Sequence, residues 1–300
     1  MLKIAFDKSY KLTLEKSHRF PMIKYELIPE QLVRKNICNE SNFFSPLEIT
    51  KTDAILTHDE KYYDQLVCLS LSKTDRRQIG FPITKELIKR ERIIAQGTIE
   101  NTYHALKYGV SMNIAGGTHH AFKNKPGAFC MLNDQAIAAN FLIKNNLSKR
   151  IMIIDLDVHQ GNGTASIFEK EKSVYTLSFH GKKNYPFVKQ KSDYDLELED
   201  DITDSHYIKK LKRVLPELVD SFEPDFIFYL AGVDILKNDK LGRLAISMEG
   251  CKERDRFVLN LCKKNSIPVQ VSMGGGYSIF LKEIIDAHSN TFELAQEIFF

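Results

Sequence analysis

The sequence has no tryptophan and only five cysteines among 300 residues. Cys38, Cys68, Cys130, Cys251 and Cys262 are odd in number, and they form no CxxC or close Cys/His pair. A disulfide framework and a cysteine-ligated structural zinc are thereby excluded, and reduced thiols in a cytoplasm-like compartment are expected. No apolar run approaches about 18 residues, and Met1-Leu2-Lys3-Ile4 is soon followed by Asp7, so neither a membrane span nor a signal peptide is expected. An excess of one charge is missing too: 42 Lys+Arg against 39 Asp+Glu leave +3, with no dense basic block. So small a surplus argues against direct nucleic-acid binding as the main function. No repeat, low-complexity tract or Pro/Gly/Ser-rich linker divides the chain, and 43% hydrophobic residues suffice for a globular core. One domain over residues 1–300 is expected, although the length alone also admits two.

What is present is a regular alternation of short apolar stretches with longer amphipathic ones. Strands are predicted at 2–6, 54–57, 111–115, 151–158, 173–179, 226–231 and 268–273, and helices at 61–69, 85–107, 134–144, 204–222, 249–264 and 279–298. Strands separated by helices of this length imply crossover connections: an α/β protein in three α/β/α layers, with a central, mostly parallel sheet of about eight strands. Ile151-Met152-Ile153-Ile154 is apolar at four successive positions, as a strand buried on both faces requires.

In such sheets ligands gather beyond the carboxyl ends of the strands. Four apolar runs lead there into polar residues: Gly116-Gly117-Thr118-His119-His120, Asp155-Leu156-Asp157-Val158-His159-Gln160-Gly161-Asn162-Gly163, Gly232-Val233-Asp234, and Gly274-Gly275-Gly276-Tyr277. Asp155, Asp157 and His159 are spaced by two, so in extended chain their side chains share a face. Converging carboxylates are costly to bury without a compensating cation. Asp157, His159 and Asp234 together offer two oxygens and one nitrogen, the three-ligand set of an open catalytic Zn²⁺ or Fe²⁺ site. A DxDxH run that merely caps a strand is the plainer alternative, and the matching Asp234 at another strand end weighs against it. His119 and His120 follow glycines that permit close backbone approach, and imidazoles titrate near neutrality. Tyr277 could hydrogen-bond a developing oxyanion. Its glycine turn could instead cradle phosphate, but no lysine follows it as in a P-loop.

These motifs together resemble the zinc-dependent histone deacetylases of the arginase/deacetylase fold, and most closely the small class IV branch with its bacterial relatives. GGTHHA at 116–121, DLDVHQGNGT at 155–164, AGVDILKNDKLGRL at 231–244 and GGGY at 274–277 match in order and spacing. Gly80-Phe81-Pro82, Glu86-Leu87, Gly97-Thr98-Ile99 and the early loop His18-Arg19-Phe20-Pro21-Met22 also look like class IV, so the resemblance spans nearly the whole chain.

The resemblance implies a deacetylase or deacylase in which Asp157, His159 and Asp234 bind the metal. It makes His119 and His120 the acid–base pair, Asp155 the carboxylate that orients His119, and Tyr277 the oxyanion donor. It implies a structural K⁺ at Asp155, Asp157, His159, Ser178 and Phe179, with a second cation near Phe168 and Val174. It also implies an acyl-lysine channel walled by Phe129 and Tyr185, with Ala128, Leu241, Gly275, Gly276 and His18 at its lining or rim. Two departures from the commoner pattern matter. Asn162 replaces the aspartate expected to support His120, which should keep His120 neutral more readily. Ala128 stands where a glycine is usual, so the loop must avoid positive φ there.

An acylated lysine in a protein or peptide, carrying acetyl or a long fatty acyl group, is thus the expected substrate, with the protein placed in the cytoplasm. The segments 18–22 and 80–84 are expected to decide acyl length. An acetylpolyamine or another acylated small amine is the alternative; acidic residues at the mouth, such as Asp239 or Glu199, would favour it. A two-manganese, arginase-like site fits poorly, because Asp239 lies five residues after Asp234. A non-catalytic acyl-lysine or partner-binding module is disfavoured by the complete set of catalytic residues.

Overall fold

The computed structural model describes residues 1–15 and 17–300. Its strands are β1 (Lys3–Ala5), β2 (Phe43–Phe44), β3 (Val110–Asn113), β4 (Ile151–Asp155), β5 (Val174–Gly181), β6 (Tyr194–Leu198), β7 (Phe226–Leu230) and β8 (Val269–Ser272). They form one eight-stranded sheet in the order β2-β1-β3-β8-β7-β4-β5-β6, and every neighbouring pair is parallel. Every residue of β3, β4, β7 and β8 is buried, as strands covered on both faces require, whereas the edge strand β6 alternates in exposure.

Helices cover the sheet in two groups. Lys85–Tyr108 packs with Asp134–Lys144, and Leu281–Phe299 packs against Met248–Lys264 and Lys24–Arg34. The longest, Lys85–Tyr108, starts at Thr84, whose side chain accepts the Leu87 N–H, and ends at Gly109 with φ +88°. Both ends use residues suited to unpaired helix termini, a side-chain acceptor at the start and a left-handed glycine at the end.

The register matters most for function. Asn113 pairs with Ser272, Ser272 with Leu230, Leu230 with Asp155, and Asp155 with Ser178. One row therefore crosses five strands at their carboxyl ends. The loops after β3, β4, β7 and β8 start level, although residues 116 to 277 separate them in sequence.

The predicted helices 134–144 and 204–222 match in full, and the others lie within two residues of their predicted ends. Segment 54–57 is not a strand: Ala54 ends a short helix, Lys51–Ala54, capped by Thr50. A run of three or four apolar residues fits either element, and the cap decides it. Edge strands β2 and β6 and the helices Lys24–Arg34, Lys73–Ile79 and Asn162–Phe168 are additional to the predicted set.

Candidate active site

Asp157 and His159 lie on the turn after β4, and Asp234 on the loop after β7. His159 Nδ1 stands 3.0 Å from Asp157 Oδ1 and 3.1 Å from Asp234 Oδ2. Ligand atoms of all three residues lie within 4.8 Å of one another, and all three side chains are buried. The remaining carboxylate oxygens are held by backbone: Gly275 N–H donates to Asp157 Oδ2 at 2.8 Å, and Val158 N–H to Asp234 Oδ1 at 2.9 Å. Gly275 leaves room that a side chain would close, since a Cβ there would overlap the Asp234 carboxylate and lie 2.7 Å from Asp157 Oδ2.

The electrostatics of this trio fit a metal. Burial opposes charge on His159, yet its bonds to Asp157 and Asp234 outweigh that and raise its pKa to about 10. Burial and the nearby Asp157 raise Asp234 to about 7. Without a metal, protons do the work of a cation between the carboxylates. A dication bound by two oxygens and one nitrogen would displace them.

The histidine pair follows β3 through Gly116 and Gly117, at φ +80° and +75°. Left-handed backbone at two successive positions is what a glycine pair supplies. The two rings are 4.0 Å apart but differ in support. His119 Nδ1 lies 2.7 Å from Asp155 Oδ2, while His120 Nδ1 lies 2.8 Å from Asn162 Oδ1. An amide oxygen only accepts, so His120 Nδ1 carries the hydrogen and Nε2 keeps its lone pair. Burial opposes charge on both rings. For His119 the Asp155 and Asp157 carboxylates reverse this and raise the pKa, whereas His119 and His159 push His120 well below the usual histidine range.

Tyr277 is buried after β8, its ring 6.5 Å from that of His159 and 6.1 Å from that of Phe129. Burial, then Asp234 and Asp157, push its hydroxyl well above the usual tyrosine range, so it stays protonated. A cavity of about 990 Å³ connects these groups to the surface. Ala128, Phe129, Tyr185, Leu241 and Gly275 line it together with His119, His120, Asp157, His159, Asn162 and Tyr277. The Tyr185 ring meets His120 edge-on at 4.8 Å. Positive φ falls on Phe129 (+57°) and not on Ala128, as the alanine requires. His18 and Gly276 are not among the lining residues. His18 stacks on Phe81 at 5.5 Å with Nε2 2.9 Å from Gly80 O, and Arg19 and Phe20 take that part of the wall. Neither acidic candidate lies in the lining: Asp239 accepts the N–H groups of Tyr277, Leu241 and Gly242, and Glu199 pairs with Lys182.

Two supporting residues escaped sequence reasoning. Buried Arg254 donates through Nη1 to Leu156 O at 3.1 Å and Gly232 O at 2.6 Å, tying together the turns that carry Asp157 and Asp234. Its charge is met by Asp255, which also accepts from Tyr229 and Thr291. Buried Lys24 donates to Gly274 O at 3.2 Å, and burial lowers its pKa to about 8 although Asp234, Asp157 and Asp239 oppose this. An Arg-Asp pair inside an amphipathic helix and a lysine beside aromatics were the available signals, and both read equally well as surface.

A parallel sheet whose strand ends bring two aspartates and a histidine to one buried point, beside paired histidines and a tyrosine, defines a metal-dependent hydrolase. The histone deacetylase domain model matches residues 15–292, and the chain belongs to the histone deacetylase family. It is 35% identical over 296 residues to an uncharacterized protein of Picosynechococcus sp., with 99% of each chain covered. It is 30% identical over 288 residues to histone deacetylase 2 of Arabidopsis thaliana, covering 92% of this chain and 74% of that one. A crystal structure of an HDAC homolog complexed with SAHA superposes with a TM-score of 0.85 at 25% identity, covering 98% of this chain and 84% of the other. The chain is accordingly a hydrolase of the deacetylase type, and zinc dependence is general in its family. No helix among the described residues is long and apolar enough to cross a membrane.

Proposed function

We propose that residues 1–300 form one catalytic domain of class IV type that removes acyl groups from lysine ε-amines of proteins or peptides in the cytoplasm. The observation that carries this is the buried Asp157–His159–Asp234 trio in a cavity walled by Phe129 and Tyr185. Asp157, His159 and Asp234 would hold zinc, or Fe²⁺, which would supply a Lewis acid for the acyl carbonyl and lower the pKa of water. Neutral His120 takes the proton of the attacking water through Nε2. His119, held by Asp155 and more basic than its neighbour, gives its own proton to the departing amine and regains one from solvent as His120 releases the proton it took. The Tyr277 hydroxyl donates to the oxygen on which negative charge develops. Phe129 and Tyr185 exclude water around the lysine stem, so these polar contacts act in a low dielectric.

A structural K⁺ beneath the turn, held by Asp155, Asp157, His159, Ser178 and Phe179, belongs to the same proposal. Asp155 and Ser178 face each other in the β4–β5 register, which supports it. Acetyl and longer fatty acyl groups are both included, because buried Tyr25, Ile94 and Cys130 line the same cavity and offer apolar surface. An acetylpolyamine is the weaker substrate, since no exposed carboxylate is among the described residues that line the cavity. The cytoplasmic placement is supported by five cysteines that form no disulfide.

The test is a panel of acyl-lysine peptides and acetylated polyamines, assayed with and without chelator and with Zn²⁺ or Fe²⁺ restored. Acyl-lysine turnover that requires metal and His120 is expected. Activity that survives full metal removal, or is untouched by His120→Ala, overturns the mechanism. Turnover of polyamines alone overturns the substrate.

A further inference from the structure

The mouth of the cavity carries a charge bias that the chemistry does not use. Arg19, Lys125, Lys183, Lys240 and Arg243 line it and are exposed, while the one carboxylate among the described lining residues, Asp157, is buried and belongs to the proposed metal trio. These cations come from four segments far apart in the chain, so the fold assembles them. With 42 basic and 39 acidic residues overall, five exposed cations and no exposed carboxylate among the described lining residues mark a local segregation. Asp200 partly neutralises two of them, lying 3.3 Å from Lys183 and 3.3 Å from Arg243. Arg19, Lys125 and Lys240 have no ion-pair partner among the described residues. Phe187 and Val188 also line the cavity, and they are 89% and 79% exposed.

We propose that this mouth selects acyl-lysines presented in acidic polypeptide segments, with an apolar neighbour of the acyl-lysine covering Phe187 and Val188. The proposal rests on the acyl-lysine reading above and names the substrate class within it. Exposed cations around a low-dielectric opening concentrate anionic ligands and repel cationic ones, and the field reaches about 10 Å at 0.1 M salt. A substrate rich in lysine would meet like charges at every approach, whereas aspartates or glutamates beside the acyl-lysine would find three cations without internal partners.

The zinc-loaded full chain is assayed on three substrates with one acyl group: a capped acyl-lysine without flanks, a peptide with acidic flanks and a peptide with lysine flanks. The acidic peptide is expected to exceed the basic one about tenfold in kcat/KM at low ionic strength, the ratio shrinking as salt screens the mouth. The Arg19→Glu/Lys125→Glu/Lys240→Glu variant is expected to reverse the ratio. Equal kcat/KM for the two peptides, with the capped acyl-lysine still turned over, overturns this inference and leaves the deacylase reading standing. No turnover of any of the three overturns the deacylase reading itself. Equal peptide rates together with co-sedimentation on phosphatidylserine vesicles would reassign the cations and Phe187 to a lipid surface, and so also overturn the inference.

Discussion

His120 Nδ1 lies 2.8 Å from the amide oxygen of Asn162. The adjacent His119 instead meets the Asp155 carboxylate at 2.7 Å. One support is neutral and the other charged, and this separates two rings that share a wall of the cavity. The pKa of His119 goes up and that of His120 goes down, as a division between acid and base requires.

Asn162→Asp places a carboxylate on His120 and stabilises its imidazolium. The acid limb of kcat/KM is expected to move up by about one pH unit. The variant then loses activity at a higher pH than the wild type on the acid side, while the alkaline side is unchanged. A pH–rate profile that coincides with the wild type would show that His120 is not the base.

Metal affinity should depend steeply on pH, with a sign fixed by the metal-free site. His159 holds a proton up to about pH 10 and Asp234 up to about pH 7, and a metal ion needs both removed. Binding therefore releases about two protons below pH 7 and about one above it. Zinc affinity is expected to rise with pH over the whole range from 6 to 8, more steeply in its lower half. Chelator competition with proton release followed by an indicator dye measures this, and a pH-independent affinity would refute it.

Gly275→Ala puts a methyl group against the Asp157 and Asp234 carboxylates. Zinc affinity is expected to fall at least tenfold, the scale of disturbed metal surroundings. The rise in Tm that zinc gives the wild type should shrink in parallel. An unchanged affinity would mean that the two carboxylates are not held as ligands.

Arg254→Met removes the charge that meets Asp255 and the donors to Leu156 O and Gly232 O. A loss of about 3–5 kcal/mol in urea unfolding is expected for breaking a buried pair from one side. The folded variant, loaded with Co²⁺, should also show an altered absorption spectrum, because both metal-bearing turns lose their common tie. A destabilised protein with an unchanged cobalt spectrum would confine Arg254 to a purely structural role.

The interior of the fold was legible because β4, β7 and β8 are short apolar runs ending in chemically capable residues. The edges were harder. Tyr194-Asp195-Leu196-Glu197-Leu198 alternates as an edge strand should, but it sits in a charged segment that reads as loop. Lys24–Arg34 carries Pro29 within it, which argues locally against a helix that packing nevertheless stabilises. In the site, Asp157, His159 and Asp234 could be found because each directly follows an apolar strand. Arg254 could not, since a buried arginine in a helix looks like a solvated one until its neighbours are known. The mouth was equally hidden: Arg19, Lys125, Lys183, Lys240 and Arg243 become a group only when the sheet sets their loops side by side.

The strand order has a consequence for how the protein is made. β8 lies between β3 and β7, so a strand synthesised after both must enter between two made earlier. Until residues 269–272 arrive, β3 and β7 each present an open edge, the kind of surface on which chains associate wrongly. The same insertion delivers Gly275 to Asp157 and brings Tyr277 to the histidines. A nascent chain therefore acquires its last catalytic group in the event that seals its sheet, and an incompletely closed molecule cannot be an active one.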